Sequence, residues 1–354
     1  MKIDVNKVKK ELETLISIPS HKDCDQIQTY LQERLDYIDF EKQYVGKENL
    51  YNILSINKPF LINTHVDTVP PMGMENPFKA VEKDGKIYGR GAADTKGLIA
   101  SLIVALDSFK EDYPDRDIPV SLAFTVDEEQ NSALGSQKLI EKLQNIRSCV
   151  ILEPTYGEIC TRQAGSLEFS LTVNVPSAHA AEFEKFDNPA KLAFKIITES
   201  EEKLSRPINI IKFKSGWDFY AVPKRADTLL EVKLNKHEVA EKIVPIIEEA
   251  IKNYKDKAKF EIIDAENFLC FEEGDSYNLL KKAYEKALNQ PAKKGVMPSW
   301  TDAANISKVV KDCSIFGFGS LADCHTEREH ISIEDLEKMT KIFYNLFSIL
   351  TQPK

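Results

Sequence analysis

The interpretation of the chain is decided by Asn63-Thr64-His65-Val66-Asp67-Thr68-Val69-Pro70-Pro71, a stretch that follows the apolar run Pro59-Phe60-Leu61-Ile62. That run is typical of a buried strand bounded by a proline. His65 and Asp67 then lie at the carboxyl end of the strand, where open α/β sheets place their ligand sites. If the strand geometry persists, both side chains point to one face, which suits a metal-bound imidazole oriented by a carboxylate. A polar turn after a strand is the alternative interpretation.

The length and charge of the chain limit the classes of protein to be considered. A chain of 354 residues predicts two domains. Hydrophobic residues make up 42% and charged residues 29%, as in ordinary globular proteins. The net charge of −9 argues against nucleic acid as a partner, because phosphates require a basic face. A small anionic substrate is still allowed, since a bound metal outweighs the overall charge locally.

The start of the chain and its cysteines favour a cytoplasmic protein. No apolar core follows Met1–Lys7, so we predict no signal peptide, and no apolar run approaches the length of a membrane span. A membrane is therefore not an expected partner. The cysteines carry no Cys-x-x-Cys pairing, which predicts reduced thiols. They are Cys24, Cys149, Cys160, Cys270, Cys313 and Cys324.

Strand-like and helical segments alternate along the first half of the chain, which predicts an α/β fold with a mixed, largely parallel sheet flanked by helices. The predicted strands cover residues 50–56, 59–64, 118–126, 149–152 and 314–318. The predicted helices cover residues 5–16, 25–37, 98–109, 132–144, 275–288 and 303–310, with a last helix capped by Ser332. A hairpin within residues 78–88 is expected to turn at Asp84-Gly85.

The middle of the chain has a different character. Residues 166–175 alternate as a half-exposed strand, and predicted helices follow at 188–200 and 236–254. With strands at 229–234 and 259–263, this resembles the β-α-β-β-α-β order of a ferredoxin-like α+β module, although one strand is not evident. We therefore predict a catalytic domain of residues 1–164 and 267–354, interrupted by an inserted domain of residues 165–266.

Acidic and imidazole side chains share one position in the predicted sheet. Each of these residues follows a predicted strand or lies in a loop after one, so all are expected to meet at one edge of the sheet. They are His65, Asp94, Glu129, Glu153 and His325. Imidazole and carboxylate together form the ligand set of hydrolytic zinc sites. Because burial of so many carboxylates without cations is costly, the pattern predicts a metal centre.

Six motifs occur in an order that resembles one family of zinc metallopeptidases and deacylases. That family includes acetylornithine deacetylase, succinyl-diaminopimelate desuccinylase, glutamate carboxypeptidase and aminoacylase. The resemblance covers nearly the whole chain. The motifs are His65-Val66-Asp67, Gly89-Arg90-Gly91-Ala92-Ala93-Asp94-Thr95-Lys96-Gly97, Thr125-Val126-Asp127-Glu128-Glu129 with Gly135, Glu153-Pro154-Thr155, Gly165-Ser166 and His325-Thr326-Glu327-Arg328-Glu329.

The resemblance implies a role for each residue of the metal centre. Asp94 would bridge two zinc ions, although cobalt or manganese would also suit the site. His65 and Glu153 would complete the first site, and Glu129 and His325 the second. The resemblance also implies a cis peptide bond after Asp94, which is costly outside proline.

The same resemblance implies roles around the metals. Glu128 would act as the general base that converts a water bridging the two metals into hydroxide, and Asp67 would orient His65. Adjacent residues in an extended loop point in opposite directions, so Glu128 and Glu129 are expected not to face one metal together. His179 would donate a hydrogen bond to the tetrahedral oxyanion, from its own chain or from the partner of a homodimer formed through the inserted lid.

The substrate-binding segments depart from the family pattern. Many relatives carry Asn-Val-Val-Pro and then an arginine, whereas this chain has Tyr220 before Ala-Val-Pro and Lys233 at the arginine position. Lysine cannot make the bidentate contact of a guanidinium with a substrate carboxylate. The arginine pair of desuccinylases is also absent, because Gln163 and Ala164 occupy that place. Thr301 lies in a further segment expected near the substrate.

These observations predict a metal-dependent amidohydrolase of amino-acid biosynthesis that cleaves the amide of a small N-acyl amino acid. Acetylornithine deacetylase is the nearest type, because the arginine pair of desuccinylases is missing. A dipeptidase, a carboxypeptidase or a desuccinylase of the same family is the alternative. A non-catalytic metal-binding relative is the alternative of another class, although such a protein has no need of Glu128. No Gly-x-Ser-x-Gly motif or catalytic cysteine setting favours a metal-free hydrolase.

Overall fold

The computed structural model describes residues 4–46, 49–130 and 133–352, and the predicted helix start at Ser132 lies outside them. The strands are β1 Glu41–Tyr44, β2 Tyr51–Ser55, β3 Phe60–His65, β4 Val81–Lys83, β5 Lys86–Tyr88, β6 Ser121–Thr125, β7 Ser148–Leu152, β8 Ile159–Gln163, β9 Gly165–Asn174, β10 Ala178–His179, β11 Asn209–Ser215, β12 Ala221–Val222, β13 Arg225–Leu234, β14 Ala258–Glu266, β15 Leu269–Cys270, β16 Lys294–Met297, β17 Asp312–Phe316 and β18 His330–Ser332. The α-helices are α1 Val5–Ser17, α2 Asp25–Arg34, α3 Lys96–Asp112, α4 Leu134–Leu139, α5 Pro189–Leu204, α6 Ala240–Ile251, α7 Asp275–Leu288, α8 Ala303–Ile306 and α9 Ile333–Leu350. Short 3-10 helices cover Ile140–Lys142, Ala180–Lys185 and Lys252–Tyr254.

The strand that ends in His65 lies inside a mixed sheet. The strand order is β1-β2-β6-β3-β7-β17-β8-β15, and β16 pairs with β8. The central strands β6, β3, β7 and β17 run parallel, and β1, β2 and β8 add antiparallel neighbours. The predicted α/β sheet is therefore confirmed. Its parallel part is buried on both faces, which explains why these strands read as continuous apolar runs.

Helices cover this sheet, and α3 is the most deeply buried of them. Nearly all of its residues from Lys96 to Leu106 are buried, as expected for a helix that is apolar on every side. Helix α9 packs against α3 and begins where Ser332 Oγ accepts a hydrogen bond from Asp335 N at 2.9 Å. The predicted cap of the last helix is confirmed.

The predicted hairpin is also present. Strands β4 and β5 pair antiparallel around Asp84 and Gly85, whose φ angles are 52° and 72°. Positive φ at both central residues is the geometry that two-residue hairpins prefer, and it explains the Asp-Gly sequence. β1 and β8 were not predicted, because each is short and carries polar residues that break the apolar pattern.

The chain divides into two units, one of Met1–Arg162 with Cys270–Lys354 and one of Gln163–Leu269. The second unit has a four-stranded antiparallel sheet in the order β11-β13-β9-β14, with α5 and α6 in its core. This is the ferredoxin-like β-α-β-β-α-β order, and the strand that was not evident in the sequence is β11. Most of its residues are exposed, so it carries no apolar alternation.

Among the described residues, no helix combines the length and apolar character needed to cross a membrane.

We expect Gly97→Ala to destabilise the first unit. A Cβ at this position would lie 2.3 Å from Ala92 O and 3.0 Å from Ile331 Cδ1. Helix propensity alone would make alanine more stable by roughly 0.5–1 kcal/mol, whereas overpacking costs about 1–3 kcal/mol. We therefore expect a lower urea midpoint for Gly97→Ala and a nearly unchanged midpoint for Ser108→Ala, a half-exposed position on the same helix. An unchanged or raised midpoint for Gly97→Ala would contradict the close packing of this glycine.

Candidate metal centre

The segments that carry the candidate ligands meet at the carboxyl edge of the parallel strands. His65 is the last residue of β3, Glu128 and Glu129 follow β6, and Glu153 follows β7. The loop that precedes α3 supplies Asp94, and the loop after β17 supplies His325. Because β6, β3, β7 and β17 are neighbours, their ends place these side chains side by side.

Asp94 lies between the two histidines. Its Oδ1 is 3.1 Å from His65 Nε2, and its Oδ2 is 3.4 Å from His325 Nε2. One carboxylate therefore contacts both imidazoles through different oxygens. The peptide bond between Asp94 and Thr95 is cis, as the resemblance implied.

A further carboxylate accompanies each histidine. Glu153 Oε1 is 3.7 Å from His65 Nε2, and Glu129 Oε2 is 2.9 Å from His325 Nε2. The other oxygen of Glu129 accepts a hydrogen bond from Val69 N at 3.2 Å. The arrangement thus forms two groups that share Asp94.

The side chains of Glu128 and Glu129 lie in different groups of possible ligands but both remain near His65. Ligand atoms of His65, Glu128 and Glu153 lie within 4.8 Å of one another, and the same holds for His65, Asp94 and Glu129. Each glutamate thus lies near a different carboxylate, and both remain close to His65. The loop is not extended here, because Asp127 has a φ of 65°, and this limits how far the two side chains point apart.

Asp67 orients His65 mainly through its backbone. His65 Nδ1 donates to the carbonyl oxygen of Asp67 at 3.0 Å, whereas the nearest carboxylate oxygen of Asp67 is 3.7 Å away. The other carboxylate oxygen accepts from Glu129 N at 3.0 Å. A carbonyl oxygen only accepts hydrogen bonds, so Nδ1 carries the proton and Nε2 faces Asp94 and Glu153.

The acidic and imidazole groups of the cluster have shifted pKa values. Burial raises the pKa of Glu128 well above its usual range, and the Glu153 carboxylate adds to this effect. Hydrogen bonds to Asp94 and Glu129 raise the pKa of His325 to about 10. Burial acts to raise the pKa of Asp94, but hydrogen bonds from His325 and His65 outweigh it and lower that pKa. The imidazoles and carboxylates of this cluster therefore shift one another's pKa values strongly.

The donor set fits divalent cations. Glu153 Oε1 is buried and makes no hydrogen bond within the described part of the chain, although a carboxylate oxygen normally finds a donor. Two imidazole nitrogens and several carboxylate oxygens then converge with few other partners. Zinc prefers this mixture of nitrogen and oxygen ligands. A metal at each group would replace the imidazole protons.

The predicted substrate-binding residues and His179 belong to different parts of the chain. In the second unit, exposed His179 lies opposite Ala221 in a two-stranded ladder, beside the exposed Tyr220, and its Nδ1 accepts from Ala181 N at 3.2 Å. Lys233 lies on β13 and pairs with Glu231.

Thr301 belongs to the first unit. It is fully buried at the start of α8, where its hydroxyl accepts from Ala303 N at 3.2 Å.

Three buried polar residues of the first unit were not predicted to have a role. Asp302 accepts a hydrogen bond from Thr125 Oγ1 at 2.6 Å, at the end of β6. Arg90 and Glu329 form a buried ion pair. Both lie inside motifs quoted above, but nothing in their spacing indicates that they pair, because 239 residues separate them.

Comparisons with known proteins agree with this geometry. A family model described as "Peptidase family M20/M25/M40" matches residues 61–348. The chain is 30% identical over 348 residues to succinyl-diaminopimelate desuccinylase of Rickettsia prowazekii (strain Madrid E), with 87% of each chain covered.

Two solved structures share the fold. Human carnosine dipeptidase 1 gives a TM-score of 0.78 at 15% identity, covering 99% of this chain and 97% of that chain. The YXEP protein of Bacillus subtilis, described as a dinuclear metal binding peptidase from the M20 family, gives 0.65 at 16% identity, with 98% of each chain covered. Such identities show the fold alone. The family model, in contrast, spans most of the sequence, and the chain therefore belongs to peptidase family M20/M25/M40, a family of hydrolases.

Proposed function

We propose that this protein is a two-metal amidohydrolase that removes the acyl group from a small N-acyl amino acid. The observation that carries the proposal is the position of Asp94, whose two carboxylate oxygens face the Nε2 atoms of His65 and His325. A structural role for a single metal does not require a carboxylate between two imidazoles. The solved relative described as a dinuclear metal binding peptidase supports this interpretation.

The proposed ligands form two sets that share Asp94. His65 and Glu153 would hold one zinc ion, and Glu129 and His325 the other. Cobalt and manganese also suit imidazole and carboxylate ligands. When bound, the metals would supply Lewis acidity toward the amide carbonyl and lower the pKa of a water at the site.

Glu128 is the proposed general base. It lies with His65 and Glu153 but is not needed to complete either ligand set, so its carboxylate is free to handle protons. It would take a proton from the attacking water and deliver it to the leaving amine nitrogen. Its position beside His65 and Glu153 suits a group that holds this proton between the two steps.

The second unit is proposed to supply substrate contacts. His179 would donate to the oxyanion that forms during attack, either within the chain or from the partner of a homodimer. Tyr220 is 93% exposed and available to a ligand. Lys233 is already paired with Glu231 and would have to exchange this partner for a substrate carboxylate. Thr301 is the least accessible of these residues to a substrate, because its side chain is buried.

Two acyl groups are the leading candidates. The absence of the desuccinylase arginine pair at Gln163-Ala164 favours an acetyl group, as in acetylornithine deacetylase. The similarity to a succinyl-diaminopimelate desuccinylase favours a succinyl group as the second candidate. Dipeptides are the third substrate class to test, since human carnosine dipeptidase 1 has the same fold.

We expect Glu128→Gln to lower kcat by about 10²–10⁴-fold while the metal content and the thermal unfolding curve stay those of the wild type. The amide keeps the size of the carboxyl group but cannot accept the proton. Steady-state hydrolysis and metal analysis of the same preparation measure both effects. Glu13→Gln, an exposed position on α1, is the control and should leave turnover unchanged. Wild-type turnover in Glu128→Gln would exclude this residue as the base.

Removal of metal should abolish amide hydrolysis. We expect a chelator to inactivate the protein, and about two zinc ions per chain to restore it. Elemental analysis and activity during stepwise zinc addition provide the measurement. Metal binding without any turnover on the substrates below would instead favour the non-catalytic relative.

We expect a higher kcat/KM for N-acetylornithine than for N-succinyl-diaminopimelate. A carboxylate that lacks its charged partner loses about 1.5–3 kcal/mol, which corresponds to at least roughly tenfold. Assays should include both compounds, N-acetyl-lysine and a few dipeptides. The reverse order of the first two would assign the chain to the desuccinylase type, and preference for dipeptides would assign it to the peptidases.

A further inference from the structure

Arg90 and Glu329 form the most deeply buried ion pair of the described residues. The side chain of Arg90 is 0% exposed and that of Glu329 is 1% exposed, and Arg90 Nη1 donates to Glu329 Oε2. Among the described residues, neither side chain forms a hydrogen bond or ion pair with the imidazole or carboxylate atoms of the proposed ligands. Their contacts are instead with the backbone that carries those ligands.

Glu329 holds the backbone of the Asp94 loop. Its Oε1 accepts hydrogen bonds from Ala93 N at 3.1 Å and from Asp94 N at 3.2 Å. These bonds fix the direction of the chain where it enters Asp94. The carboxylate of Glu329 therefore determines how the side chain of Asp94 is presented to the two histidines.

Arg90 donates hydrogen bonds to the loop after His65 and to the loop of His325. Its Nη2 donates to Pro71 O at 3.0 Å and to Thr326 O at 3.2 Å. Pro71 ends the stretch that begins with His65 at the end of β3, and Thr326 directly follows His325. The planar guanidinium reaches both carbonyls and Glu329 at once, which a lysine ammonium does not match in geometry.

Stability alone does not account for this pair. Taking two charges out of water is expensive, and a buried pair is often no more stable than two apolar residues. Arg90 Nε is also buried and makes no hydrogen bond to the described residues, so the pair is incompletely satisfied. What the pair achieves is a connection among three loops that are distant in sequence and that each carry a candidate ligand.

We propose that Arg90 and Glu329 are positioning residues that set the spacing of the metal ligands, so that metal affinity depends on them. This inference rests on the proposed two-metal centre. Outer partners of metal ligands typically change metal affinity by about 10–100-fold when they are lost. The pair acts through the backbone of three loops rather than through a ligand side chain.

Zinc titration of the metal-free protein tests this inference directly. We expect Glu329→Leu to bind zinc about 10–100-fold more weakly than the wild type, and Glu329→Gln, which keeps a carbonyl acceptor for the two N–H groups, to recover part of the loss. Glu11→Leu is the matched control. Glu11 is a buried glutamate that pairs with Arg34 at 2.9 Å between α1 and α2, and its replacement should leave zinc affinity unchanged.

A second variant separates positioning from folding. Arg90→Met/Glu329→Leu avoids a lone buried charge, but Ala93 N and Asp94 N lose their acceptor, so the metal-free variant should unfold at a lower temperature than the wild type and still be folded at the temperature of the titration. Zinc affinity should still fall as in Glu329→Leu. Wild-type affinity in this folded double variant would overturn the inference and leave the proposed function intact. A wild-type protein that binds no zinc would overturn the proposed function together with it.

Discussion

The mutual repulsion of carboxylates at one edge of the sheet is the constraint on which the rest of the structure depends. Asp94, Glu128, Glu129 and Glu153 converge on His65 within a few ångströms, in a region largely shielded from water. Like charges in such surroundings raise one another's pKa, and either protonation or a nearby cation relieves the cost. Divalent metals bound between these groups would compensate the negative charge, with the histidines as neutral ligands. The proposed metal centre would meet this need for positive charge.

The backbone around the cluster is shaped for this convergence. Asp127 and His325 have φ angles of 65° and 59°, in the left-handed region that non-glycine residues rarely adopt. Such conformations persist where surrounding contacts impose them, typically at functional sites. Leu134 N donates to Asp127 Oδ2 at 3.1 Å, and the bond from Arg90 to Thr326 O holds the chain just after His325. The site is thus maintained by hydrogen bonds to its loops as much as by contacts among its ligands.

The second unit has its own apolar core and an exposed pair of short strands. Its apolar core packs β9 and β13 against α5 and α6. It presents His179 and Tyr220 on an exposed ladder beside that core. In the proposed reaction the first unit supplies the metals and the base, and the second supplies groups that select and orient the substrate.

The sequence by itself determined the elements whose pattern is local. Apolar runs of strand length identified β3, β6, β7 and β17, Asp84-Gly85 identified the hairpin, and the alternation of elements gave the α/β class. Because the ends of parallel strands meet at one edge, the sequence also indicated which acids and histidines converge. Only the tertiary structure decided the contacts between residues that are far apart in sequence or that lie in loops. Three contacts depend on loop conformations, which short-range periodicity does not encode. They are the bond from His65 to the carbonyl of Asp67, the proximity of Glu128 to Glu153, and the pairing of Arg90 with Glu329.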